Sequence, residues 1–138
     1  MAEKEINMED SNEKAIERVV VGKNNVFKKT YYFEELHLRI YLNVKFPTFR
    51  ERAKIKALRS DILFGTEQNS LVTVAYEVLF LIQESGKDTK VYITDEDNED
   101  SQMIDDYFNV DGYPREDVLL AIADDLNEWV NRFPGWYR

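Results

Sequence analysis

With 138 residues, of which 43% are apolar and 13% aromatic, the chain is long enough for one globular domain and too short for two of ordinary size. It has no cysteine, which excludes disulfides, thiolate metal sites and a cysteine nucleophile and fits a reducing cytoplasm. The formal net charge of -9 works against non-specific nucleic-acid binding, and no apolar run approaches the ~20 residues that span a bilayer. The opening stretch also lacks the apolar core of a signal peptide, so the expectation is a soluble, cytoplasmic protein with no membrane partner.

Met1 to Arg18 is polar and charged and can bury too little surface to offset its ordering entropy, so residues 1–18 are expected to form a flexible arm. Residues 19–133 are expected to form a single domain, and 134–138 an aromatic tail. In "VVVGKNNVFKKTYYF", β-branched and aromatic clusters flank a Gly-Lys-Asn-Asn turn signal, which predicts a short strand, a turn and a second strand. From Leu36 to Phe46 the alternation is unbroken: Leu36, Leu38, Ile40, Leu42, Val44 and Phe46 fall on one face and His37, Arg39, Tyr41, Asn43 and Lys45 on the other.

Pro47 ends this strand, because it has no N–H to donate, and Thr48 with Glu51 forms a T-x-x-E capping box that starts a helix. On that helix, from Phe49 to about Leu63, Phe49, Ala53 and Ala57 make one apolar stripe. Ile55, Leu58 and Ile62 make a second on the opposite side, with cations in between. Gly65 stops the helix. In "LVTVAYEVLFLIQESG" the polar residues Thr73, Glu77 and Glu84 recur at helical spacing, which predicts a buried helix ending at Gly86, although Val72, Val74, Tyr76, Val78, Phe80 and Ile82 also alternate as a strand would.

"KDTKVYITDEDNEDSQ" reads as an extended piece and a solvated acidic loop, "MIDDYFNV" as a brief helix, and Pro114 as the first position of a last helix. From Val118 onward Val118, Leu119, Ile122, Leu126, Trp129, Val130 and Phe133 share one arc, and Pro134 closes the pattern. The fold class that follows is α+β: an N-terminal β-hairpin-like unit followed by three or four packed helices.

Catalytic and metal chemistry find little support. Asn109, Asp111 and Gly112 match three positions of a calcium loop, but Tyr107 and Val118 occupy the entry and closing ligand positions, which leaves a plain turn. The acidic "DEDNED" has carboxylates without a ligand spacing. His37, the single histidine, falls on the polar face of a strand, and no serine sits in a nucleophile elbow. The expectation is no enzyme, no metal and no cofactor.

The charge is uneven. Arg39, Lys45, Arg50, Arg52, Lys54, Lys56 and Arg59 make a basic island, whereas the part beyond Asp95 is strongly acidic. Three readings compete for the island: a solvated or acid-paired helix, a protein-contact surface, or a small nucleic-acid-binding or regulatory module over residues 39–59. The surrounding negative charge and the lack of a recognition motif weigh against nucleic acid. The candidate partner or self-association surface is Arg50, Arg52, Ile55, Lys56, Leu58, Arg59 and Ile62, with Trp136 and Tyr137 of the tail.

The order of features resembles the tail assembly chaperones of long-tailed bacteriophages. A polar arm comes first, then an alternating strand running into "KFPTFRERAKIKAL", a buried "VAYEVLFLI", an acidic loop, and an acidic amphipathic helix ending "LNEWVNRF". The likeness covers roughly Leu36 to Phe133 and is one of layout; the N-terminal arm and the "GWYR" ending depart from it. It implies a non-enzymatic, cytoplasmic protein of the infected bacterium that self-associates, binds the tape-measure protein, recruits tail-tube subunits, and is absent from the mature virion.

Overall fold

The computed structural model describes residues 25–63 and 70–132. The expected arm, the first strand of "VVVGKN", Gly65, Phe133 and the aromatic tail lie outside them. Strands β1 (Val26–Phe33), β2 (Leu38–Lys45), β3 (Lys90–Thr94) and β4 (Asp100–Met103) form an antiparallel sheet in the order β1-β2-β3-β4. Helices α1 (Phe49–Leu63) and α2 (Ser70–Ser85) connect β2 to β3, and α3 (Glu116–Val130) follows β4. The α+β class is therefore found: a strand hairpin, three helices, and two further strands from the segment read as extended piece and acidic loop.

The first hairpin turns where the sequence alternation looked continuous. Glu34–Leu36 is a short 3-10 turn and His37 takes a left-handed conformation, φ 50° and ψ 44°, with its N–H donated to the Glu34 carbonyl at 3.1 Å. His37 is thus a turn residue and not a strand residue, and β2 begins at Leu38. From there the alternation holds, with Leu38, Ile40, Leu42 and Val44 buried and Tyr41 and Lys45 exposed. Pro47 and the capping box follow as expected: Glu51 N–H donates to Thr48 Oγ1 at 3.2 Å, and Thr48 N–H donates to Glu51 Oε1 at 2.9 Å.

One face of the sheet carries the core. Ile40, Leu42 and Val44 of β2 meet Val78, Phe80 and Ile82 of α2 and Ile122 and Leu126 of α3, all within 2% of full burial. The segment that could have been a strand is α2, and its nearly continuous apolarity reflects burial on several sides. At its end Gly86 still donates its N–H to the Ile82 carbonyl at 2.8 Å, and a Cβ on Gly86 would lie 2.8 Å from that same oxygen, a close approach that only glycine permits.

Helix α3 is pinned to the edge strand β1. Asp125 accepts from Lys29 Nζ at 2.7 Å and from the Tyr31 hydroxyl at 2.5 Å, while Trp129 packs against Phe27 and Phe46 with ring centroids 5.8 and 6.1 Å apart. The helix starts at Glu116, so Pro114 precedes it by two residues instead of opening it. "MIDDYFNV" is not a helix either: Met103 ends β4, and turns follow, with Asp106 left-handed. The acidic loop is an ordered β3–β4 turn in which Asp95 Oδ1 accepts the N–H groups of Asp97 and Glu99 at 2.9 and 3.0 Å.

Candidate partner-binding site

The α1–α2 pair is an antiparallel hairpin stitched by charge. Lys54 reaches Glu84 at 3.1 Å and Arg59 reaches Glu77 at 3.0 Å, so moving forward along α1 moves backward along α2. Between these two bridges lie Ile55, 7% exposed, and the half-buried Leu58. Glu84 is 7% exposed. Burial pushes its carboxyl up, but hydrogen bonds from Gln83 and Lys54 outweigh that and hold it below the usual carboxylate range.

The basic island is largely neutralised inside the fold. Besides those two bridges, Arg39 reaches Asp100 at 2.8 Å and the Asn98 carbonyl at 2.9 Å, and Lys45 lies 3.7 Å from Asp88. Tyr41 donates a short hydrogen bond to Asp100, and this, together with Arg39, keeps the Asp100 carboxyl below its ordinary value. The acidic β3–β4 turn is thereby tied down onto β2. Of these acids only Asp100 belongs to the acidic part beyond Asp95, so the basic island is met mostly by Glu77, Glu84 and Asp88.

What remains is a cleft along α1. Arg52, Ile55, Lys56 and Arg59 form one wall, Val78 and Leu81 of α2 contribute the apolar middle beside Glu77, and Leu126, Asn127 and Val130 of α3 close the far side. Its volume is about 40 Å³. A water needs roughly 10–15 Å³ and a drug-sized ligand roughly 300–1,000 Å³, so there is room for one aliphatic side chain and not for a cofactor. Arg52 is the least settled member: its guanidinium carbon sits 5.7 Å from the Phe46 ring and 5.8 Å from the Phe49 ring, and its buried Nε has no hydrogen-bond partner.

Of the candidate surface residues, Arg52, Ile55, Lys56 and Arg59 come together here. Ile55 is also a member of the hydrophobic core, so it lines the cleft from within and is not an exposed contact. Leu58 packs against the core outside the cleft. Arg50 is exposed at the start of α1, the Ile62 side chain is outside the described ones, and Trp136 and Tyr137 lie beyond the described residues. The stripe left in solvent is the other one: Phe49 is 82% exposed, and Ala53 and Ala57 are exposed beyond it. Sequence reasoning missed the α2 and α3 lining, whose residues read as ordinary core; no local signal distinguishes a core valine from a cleft valine.

Elsewhere, a depression of about 450 Å³ lies between the end of α2 and residues 103–109. Two of its polar groups are engaged in structure: Gln83 Oε1 accepts Val110 N–H at 2.7 Å, and the Tyr107 hydroxyl accepts Arg115 N–H at 3.1 Å. Asn109 Oδ1 accepts Asp111 N–H at 2.8 Å, so the calcium-like stretch is an Asx turn. Among the described residues no group of His, Asp or Glu is arranged to hold a metal ion, and no helix is long and apolar enough to cross a membrane. Comparison with protein-family models, curated proteins and solved structures finds no match.

Proposed function

We propose that the protein is a non-enzymatic tail assembly chaperone of a long-tailed bacteriophage, acting in the cytoplasm of the host and binding the tape-measure protein. On this reading it helps recruit tail-tube subunits and is left out of the finished virion. The layout of the chain supports the assignment, and the cleft between α1, α2 and α3 is the observation that carries it.

Tape-measure proteins are long and helical, and a coating chaperone has to hold an amphipathic helix by its apolar face. The cleft has an apolar middle from Ile55, Val78, Leu81, Leu126 and Val130; Arg59 is balanced by Glu77, and Arg52 and Lys56 leave the lining net positive. That balance suits a helix presenting one aliphatic anchor flanked by carboxylates. Beside it, exposed Phe49 and the alanine stripe of α1 extend the contact surface.

The alternative is a nucleic-acid-binding or regulatory module over residues 39–59. It is weakened by the ion pairs of Arg39, Lys45, Lys54 and Arg59, each of which would have to be broken to free a cation for phosphate. Co-expression with the product of a long tape-measure gene from the same gene cluster tests the proposal. The expected result is a soluble complex that copurifies and is lost with Arg52→Glu plus Lys56→Glu. An uncomplexed chain that instead retards single-stranded DNA at physiological salt would overturn it.

A further inference from the structure

The charges along the cleft are unevenly committed. Ile55 marks its apolar middle, with Arg52 one turn of α1 to one side and Arg59 one turn to the other. At ~1.5 Å of rise per residue the two arginines stand roughly 10 Å apart along the helix, which matches the ~10 Å screening length of ~0.1 M salt. A charge on a partner therefore senses one end at a time. Lys56, next to Ile55, stands between the two ends and favours neither.

The Arg59 end is closed. Glu77 is part of the cleft lining and pairs with Arg59 at 3.0 Å, and with the two side chains only 30% and 16% exposed, water screens the pair incompletely. A carboxylate arriving there meets an arginine already satisfied and a glutamate that repels it. The Arg52 end is open. No carboxylate among the described residues pairs with Arg52. Its guanidinium carbon lies 5.7 Å from the Phe46 ring and 5.8 Å from the Phe49 ring, and its buried Nε lacks a partner. Cation–π attraction to the rings holds the group in place, and its charge stays unmatched.

We infer that the cleft reads its client helix in one direction only, and that Glu77 is the residue that sets the direction. The client places an aliphatic anchor in the apolar middle and a carboxylate one helical turn away, toward Arg52 and not toward Arg59. Reversing the helix carries that carboxylate to Glu77. A socket of about 40 Å³ for one aliphatic side chain cannot by itself tell the two directions apart, and the charge beside it can. On a long helical client that repeats this pattern, every bound copy then faces the same way. A basic helix is a poorer occupant, because its cations meet Arg52 and Lys56 while the acid of the lining is already paired. The inference rests on the cleft being the client site proposed above, and it narrows the client class to helices with an acid on one side of the anchor.

Three synthetic helical peptides test it by NMR titration of the full chain. They are alike except around a central leucine: the first has glutamate one turn after it, the second glutamate one turn before it, and the third glutamine at both places. One glutamate peptide is expected to bind about tenfold more tightly than the glutamine peptide and the other no more tightly, and which one binds reports whether the client runs with or against α1. Glu77→Gln frees Arg59 and is expected to raise the disfavoured glutamate peptide to the level of the favoured one. Arg52→Gln is expected to lower the favoured peptide to the level of the glutamine peptide. The amide spectrum of each variant verifies its fold. Equal tightening of both glutamate peptides by the natural chain, tightening of neither, or a preference that survives Glu77→Gln would each overturn the inference. Copurification with the tape-measure product is read separately, so a cleft without polarity and a chain without that client give different results.

Discussion

Helices α1 and α2 are neighbours in sequence and similar in length, yet they have opposite fates. Helix α2 is held by the sheet, by α1 and by α3, and runs buried from Val78 to Ile82. Helix α1 packs chiefly on α2, with Ile55 as its one buried side chain among the described ones, and turns Phe49, Ala53 and Ala57 to solvent. Because local stability follows buried apolar contact, α2 belongs to the most protected part of the molecule, while α1 can shift at low cost. Under the proposed function, a client side chain enters between α1 and α3, and that inequality is what would let it in.

Substitutions on the two helices sharpen the contrast. Phe80→Ala empties a completely buried position on α2 and is expected to destabilise by about 3–5 kcal/mol in denaturant unfolding, enough to threaten folding. Ile55→Ala, at the single anchor of α1, is expected to cost about 2 kcal/mol, with amide exchange accelerated in α1 and unchanged in α2. Equal acceleration in both helices would erase the distinction. Thr48→Ala removes the reciprocal cap of α1 and is expected to cost about 1 kcal/mol, recovered by Thr48→Ser.

The bridge from Lys54 to Glu84 gives the pairing of the helices a pH signature. The Glu84 carboxyl is held below its ordinary value in the fold, so its contribution is complete above about pH 4.3, the unfolded glutamate value, and is lost as pH falls through the lower folded value. The stability advantage over Glu84→Gln is therefore expected to shrink on acidification below that point; an advantage that grows would contradict the bridge. At the small end, Phe49→Ala, on a residue 82% exposed, is expected to change stability by less than about 0.5 kcal/mol while weakening client binding.

Much of this architecture can be read from local chemistry. The cap of α1 needs only Thr48 and Glu51, and the inward set of β2 only its alternation. The amphipathic arc of α3 needs only Val118 to Val130. What escaped depends on partners distant in sequence. Glu34 to His37 holds no glycine, proline or asparagine, so the hairpin turn it makes carries no turn signal, whereas "GKNN" carries a strong one just ahead of β1. Of the two stripes of α1, Ile55 and Leu58 offer more aliphatic area than Ala53 and Ala57, so they face inward, and Lys54 and Arg59 flank them at the spacing that meets Glu84 and Glu77 across the hairpin. The cleft was half legible: its cations stood out, and its apolar middle from α2 and α3 did not.

Hydrogen exchange followed by mass spectrometry, on the chain alone and mixed with a purified helical fragment of the tape-measure protein, tests the client cleft most directly. The expected result is added protection in α1 and in the Leu126 to Val130 turn of α3, abolished by Arg52→Glu plus Lys56→Glu. Protection confined to the outer face of the sheet, or none at all despite complex formation, would contradict it.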